Sequence, residues 1–376
     1  MNMMGAETTG RRLAYLCLQA TREGQASFAH VHEIIKGLRN RGWQVDLYEP
    51  SYARSSHEPP LTKKLLHFVG VQMQLLRALR ANRYDAVYIR HHPFDPITIA
   101  GARLLKLPII LEVNGPYEDL YLAFPWTRPF RWVWTPLMRY GMRQASAVIT
   151  VTEPLVRWAQ QEAGHPRVFL ISNGVDTKLF RPDVDSPPPA GVRLPYALFF
   201  GALAAWQGIE TLLEAVHRPE WPKPLHLVIA GDGALRNEVE QAAQKCSRII
   251  YLGKVPYRQI PSLIRHSVCG LAPKSAIEHI CTGVMPLKVF ETLACGVPIV
   301  VSDLPGMADL VRQGDCGIVI PPKNPVQQAL AVRQLYDNKA LRDAMGQRGR
   351  SLIEAAHSWD ARAEDTHRLL LQVLER

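Results

Sequence analysis

The chain has 376 residues, 47% of them hydrophobic and 21% charged, which excludes a disordered tail and leaves room for two separate cores. Lysine and arginine total 44 against 34 acidic residues, and the excess is lopsided: residues 1–184 carry 23 basic and 15 acidic side chains, residues 185–376 carry 21 and 19. Any anionic partner therefore belongs to the first half, and no recognition-helix, OB or RRM pattern points to nucleic acid.

Six cysteines stand at 17, 246, 269, 281, 295 and 316, without a CxxC pair or a His/Cys group at zinc spacing. They read as reduced core thiols of a cytoplasmic protein. The opening MNMMGAETTGRR lacks the apolar core of a signal peptide, and no run of 18 apolar residues follows. The expectation is a cytoplasmic chain that spans no membrane.

In chain order, strand-length apolar runs are 12-RLAYLCLQA-20, 44-QVDLYE-49, 85-DAVYIR-90, 108-PIILEV-113, 147-AVITV-151 and 167-RVFLIS-172. Segments of helical periodicity separate them, and this alternation predicts a parallel sheet covered on both faces. The stretch 181-RPDVDSPPPAGVRLP-195 sustains neither period and is the expected linker, dividing the chain into 1–184 and 185–357. The rhythm restarts with 196-YALFFG-201, 225-LHLVIAG-231, 248-RIIYLG-253, 268-VCGLAP-273, 298-PIVVSD-303 and 317-GIVIPP-322. Helical periodicity runs from 325 to about 357, and a last helix occupies 358–376. The fold class is α/β, with two doubly wound Rossmann-like halves.

One helix carries an unusual polar pair. In 286-PLKVFETLACGVPIVVSDLP-305, Lys288 and Glu291 interrupt an apolar helix that closes at Gly296 before a strand. Pro286 suits the first helical position, and the backbone N–H groups of Leu287, Lys288 and Val289 would then offer an anion site at the positive end of the dipole. Lys288 would meet a phosphate and Glu291 the hydroxyls of a ribose. A solvated i,i+3 pair is the plain alternative.

The run 286–311 resembles the donor-site signature of retaining glycosyltransferases of family 4, which have the GT-B fold. Four further segments agree in order: 172-SNGVDTKLFRP-182, 199-FFGALAAWQGIETLLEAV-216, 227-LVIAGDGALRNEVE-240 and 252-LGKVPYRQIPSLI-264. The likeness extends to 24-GQASFAHVHEIIKGLRNRGWQV-45 and 108-PIILEVNGP-116. It implies two Rossmann-like domains facing a cleft, with the last helix crossing back to the first, and transfer of a sugar from a nucleotide-diphosphate sugar to a glycan or lipid-linked acceptor. It also implies retention of configuration, no metal and no resident cofactor, in polysaccharide or glycolipid synthesis.

Carried over by position, Glu291 matches the second acid of the family's Glu-x7-Glu motif, and Gly283 stands in place of the first. Backbone amides of 283–285 would then contact the donor sugar. Where relatives carry an Arg and a Lys against the diphosphate, this chain has Ala202 and Gln207, so the expected cations are Lys288 and Lys274. The remaining donor-side residues are Gly201, Gly231, Gly233, Lys254 and Val255, although a simple turn explains 231-GDG-233 as well. A degenerate binding subunit and a nucleotide-sugar 2-epimerase are the competing readings.

On the acceptor side the resemblance and the strand ends nominate Gly24, Gln25, His91, His92 and Asn114, with His91 and Asn114 as catalytic candidates. The plain alternatives are a capped loop ending at Pro93 and a tight turn at 114-NG-115. Residues 124–143 hold four arginines, three tryptophans and no acid, a composition suited to the surface of an anionic membrane. Residues 63–83 hold five basic residues and no acid, and a helix packed on the sheet is the favoured reading there.

Overall fold

The computed structural model describes residues 10–22, 26–55, 59–81, 83–183, 187, 189–275 and 283–375; Gly24 and Gln25 lie outside them. It divides into two compact units, Met1–Ser172 with Trp359–Arg376, and Asn173–Ser358. The proline-rich stretch 181–195 thus runs within the second unit.

In the first unit, strands β1 (Arg12–Cys17), β2 (Gln44–Tyr48), β3 (Ala86–Arg90), β4 (Ile109–Val113), β5 (Ala147–Thr150) and β6 (Val168–Leu170) form one sheet in the order β2-β1-β3-β4-β5-β6. Every neighbouring pair is parallel. Strands β3, β4 and β5 are buried along their whole length, as near-continuous apolar runs require when helices cover both faces. The chain reverses direction of growth between β1 and β3, so their carboxyl ends flank the crevice where such sheets take ligands.

The helix Trp359–Leu374 belongs to this unit and packs on the helix Ala26–Arg39. Gly37 makes the close approach feasible, because a Cβ there would lie 2.2 Å from that of Ala363. Arg41 secures the contact with Asp360 (2.9 Å) and Glu364 (2.8 Å), and the Trp43 indole donates to His367 (2.9 Å).

In the second unit, β7 (Tyr196–Phe200), β8 (His226–Ala230), β9 (Ile249–Gly253), β10 (Cys269–Ala272), β11 (Ile299–Ser302) and β12 (Gly317–Ile320) form a sheet in the order β12-β11-β10-β7-β8-β9, again all parallel. Its switch point lies between β7 and β10. The periodic stretch 325–357 is two helices, Pro325–Asp337 and Lys339–Ala356. Asn338 separates them by accepting the Leu341 N–H at 3.0 Å, a cap that starts the second helix afresh.

Candidate functional site

The helix Leu287–Ala294 follows β10 and opens beside the switch point of the second sheet. Pro286 is extended (φ −73°, ψ 140°), so it caps this helix rather than beginning it. Two expected amide donors are already engaged. Val289 donates to the Pro286 carbonyl (3.1 Å) and Val284 to that of Pro305 (2.9 Å). The first-turn amides of Leu287 and Lys288 remain without a backbone acceptor among the described residues.

Lys288 and Glu291 are not a solvated pair: they are 7% and 5% exposed. The Lys288 ammonium lies 3.8 Å from the centroid of the Phe199 ring and donates to the Gln207 side-chain oxygen at 3.2 Å. A Cβ on Gly201 would come within 3.3 Å of it. A cation therefore stands at the carboxyl end of β7, although Ala202 and Gln207 are both neutral. Burial, and then repulsion from Lys274, push its pKa well below the ordinary 10.5 against the pull of Glu291.

Glu291 points elsewhere and accepts the Tyr257 hydroxyl at 2.6 Å. Burial raises its carboxyl to about 7, against the opposing effects of Tyr257 and Lys288. Tyr257 itself is held edge-on to Phe180, with ring centroids 5.4 Å apart. A buried ammonium and a buried acid thus occupy one helical face with separate neighbours.

The glycines of 231-GDG-233 have a packing reason. At φ +150°, a Cβ on Gly231 would sit 1.8 Å from the Gly201 carbonyl oxygen, and one on Gly233 at φ +157° would sit 2.5 Å from that of Leu203. The loop after β8 is therefore locked to the loop after β7, through Leu203 N–H to Asp232 (2.9 Å) and Leu235 N–H to Leu203 (3.0 Å). Gly283 is likewise left-handed (φ +82°). Lys254 is exposed and Val255 half-buried after β9, and Lys274 is half-buried after β10.

In the first unit, Gln19, His91, His92 and Asn114 follow β1, β3 and β4 and line one cavity of about 420 Å3. The His91 imidazole is bound through Nδ1 to Asp95 (2.8 Å), and its Nε2 has no hydrogen-bond partner among the described residues. His92 packs edge-on to Phe68, with centroids 5.0 Å apart, and burial lowers its pKa to about 4. Asp95 also accepts the His92 N–H at 2.9 Å, so the loop is capped as the plain reading expected while leaving one imidazole nitrogen unused.

Beneath the cavity lies a charge cluster that the sequence reading missed. Glu112 is fully buried and pairs with Arg90 and with His30 (3.0 Å). It also accepts from Tyr88 (2.7 Å) and Asn114 (2.6 Å). Burial alone would raise its pKa, but His30, Arg90 and Asn114 hold it well below the usual carboxylate range. The available signal was register: Arg90 and Glu112 sit side by side in β3 and β4.

Comparison with known proteins agrees with this fold. Residues 185–352 match the family described as glycosyl transferases group 1, and residues 28–179 match glycosyltransferase family 4. Glycosyltransferase domain models thus match most of both units, and the fold is that of GT-B structures. It is 27% identical over 277 residues to alpha-D-kanosaminyltransferase of Streptomyces kanamyceticus, covering 69% of each chain. Sucrose-phosphate synthase from Thermosynechococcus elongatus has the same fold, with a TM-score of 0.78 at 19% identity over 97% of this chain and 99% of that one. Anabaena HepE, solved in complex with UDP, gives 0.72 at 14% identity over 96% and 100%.

No described helix is long and apolar enough to cross a membrane. Among the described residues no group of three His, Cys, Asp or Glu is placed to hold a metal ion.

Proposed function

We propose that the protein transfers a sugar from a nucleotide-diphosphate sugar to an acceptor hydroxyl, with the donor held at the opening of the helix Leu287–Ala294. The observation that carries this reading is the buried Lys288 ammonium, whose direct contacts are a neutral amide and a ring face. Such a cation costs several kcal/mol to bury, and a diphosphate at the adjacent helix terminus would repay that cost. Glu291 then takes the ribose hydroxyls, exchanging part of its bond with Tyr257. Gly201, Gln207, Gly231, Gly233, Lys254, Val255, Lys274 and Gly283 complete the donor side. That HepE binds UDP supports a nucleotide of this class.

Developing charge on the leaving diphosphate is stabilised by preorganised donors already in place, here Lys288 and the two open amides. From the family resemblance we take the transfer to proceed with retention, without a metal, the departing phosphate receiving the proton of the acceptor hydroxyl. The acceptor side is the first-unit cavity with His91, His92 and Asn114.

We also place this protein on the inner, anionic face of a membrane. In the segment 124–143, Trp132 is 73% exposed and Phe130 50%, with Arg128 and Arg131 exposed beside them. A lipid-linked acceptor would account for that surface.

The test is a thermal-shift panel of UDP, GDP and ADP. A selective rise with one of them supports the reading and names the base, and release of that nucleotide from its sugar conjugate establishes turnover. No response to all three would overturn it.

A further inference from the structure

The first-unit cavity has two chemically distinct parts. At the sheet edge, the buried Arg90–Glu112 pair fixes the orientation of two amides. Arg90 Nε donates to the Gln19 side-chain oxygen at 2.9 Å, which turns the Gln19 amino group outward. Asn114 donates its amino group to Glu112 at 2.6 Å, which turns its carbonyl oxygen outward. The assignment follows from charge, since a guanidinium only donates and a carboxylate only accepts. A donor beside an acceptor suits a group that both donates and accepts, which is a hydroxyl.

The other walls are aromatic and aliphatic, and they reach the surface. Phe68 and Phe94 line the interior with rings 5.5 Å apart, while Phe124 and Trp126 line the rim and are 40% and 44% exposed. That rim is continuous in sequence with the exposed aromatic and basic segment containing Phe130, Arg131 and Trp132. A polar floor under an apolar throat that opens beside a basic aromatic surface matches a molecule with a polar head and an apolar chain.

We infer that this cavity binds the acceptor as an amphiphile, its hydroxyl-bearing head on Gln19 and Asn114 and its apolar chain along Phe68, Phe94 and Trp126. The use of that hydroxyl in transfer rests on the function proposed above; the binding does not. Arg90 and Glu112 are positioning residues, acting through the two amides.

Titration calorimetry of the full chain tests this with octyl β-D-glucopyranoside below its micelle concentration and methyl β-D-glucopyranoside as the chainless control. The expected result is one saturable site for the octyl compound, roughly tenfold or more tighter than for the methyl compound because each buried methylene adds to affinity. Trp126→Ala and Asn114→Ala should each weaken it by roughly tenfold, while Leu104→Ala, at an exposed apolar position outside the cavity, should leave it unchanged. If Asn114→Ala loses its circular dichroism signature, Gln19→Ala replaces it. Equal affinity for the two glucosides, absence of binding, or indifference to Trp126→Ala would overturn the inference. The same samples are tested with UDP, GDP and ADP: a retained nucleotide response with failed glucoside binding removes only the amphiphile site. A lost nucleotide response with glucoside binding intact removes only the donor reading.

Discussion

Lys288 and Glu291 stand one turn apart on the same buried helical face, yet their side chains diverge, the ammonium to Phe199 and Gln207 and the carboxyl to Tyr257. Two opposite charges so close would ordinarily close on each other if stability alone set their geometry. Holding them apart leaves each able to meet a separate part of one ligand.

Replacing Lys288 by methionine removes a desolvated charge while keeping its volume. The ligand-free protein should become more stable by about 1–3 kcal/mol, since uncompensated buried charges are costly. The same variant should lose its thermal response to nucleoside diphosphates. Denaturant midpoints with and without nucleotide check both halves, and a variant that is less stable yet still responds would contradict the role.

The two shifted groups give opposite pH slopes. Burial raises Glu291 from 4.5 to about 7, so between those values the unfolded chain releases a proton that the folded chain keeps. Stability from this group is full below pH 4.5 and falls as pH rises through about 7, a loss on the order of 3 kcal/mol. Lys288, lowered well below 10.5 by burial and then by Lys274, acts in the opposite sense, its contribution to stability rising as pH climbs from its lowered value toward 10.5. Urea midpoints between pH 5 and 8 should fall less steeply in Glu291→Gln than in the parent.

Gly231→Ala should cost about 2–4 kcal/mol, because its Cβ would meet the Gly201 carbonyl at 1.8 Å and its φ is +150°. Gly253→Ala, at φ +65° with open space around it, should cost only about 1 kcal/mol. Similar costs at both positions would show that the two loops are not locked together.

Glu112→Gln leaves Arg90 buried without its carboxylate and should destabilise the first unit by about 3–5 kcal/mol. Replacing both, as Glu112→Leu with Arg90→Met, should recover much of that loss, a non-additivity expected of direct partners. Additive losses would argue against the pair as the organising contact beneath the cavity.

Binding to anionic liposomes should fall when Phe130 and Trp132 are both changed to alanine, and it should weaken as salt screens Arg128 and Arg131. Flotation with anionic and neutral vesicles measures this. Equal recovery on both kinds of vesicle would remove the membrane from the account.

Local patterns carried the fold far. The runs at 85–90, 108–113 and 298–303 are apolar for the length of a strand and bounded by turn residues, so β3, β4 and β11 were legible within a residue or two. Lys288 and Glu291 were conspicuous because charge is out of place in an apolar helix. What stayed hidden depends on contacts remote in sequence. Nothing near Glu112 announces His30 or Arg90, and only the alignment of β3 with β4 joins the latter to it. The role of Gly231 was ambiguous for the same reason, since the atom that excludes a side chain belongs to Gly201. Val289 looked like an open donor until the Pro286 carbonyl was seen to accept from it.

The central claim is that the Lys288 ammonium and the adjacent amides read a diphosphate. The direct measurement is the ratio of affinities for the nucleoside diphosphate and monophosphate of one base, by calorimetry, in the parent and in Lys288→Met. The account predicts that the diphosphate binds roughly tenfold or more tighter in the parent, the scale of a charge-assisted contact, and that the ratio collapses toward unity in the variant. A ratio unchanged by the substitution would contradict it.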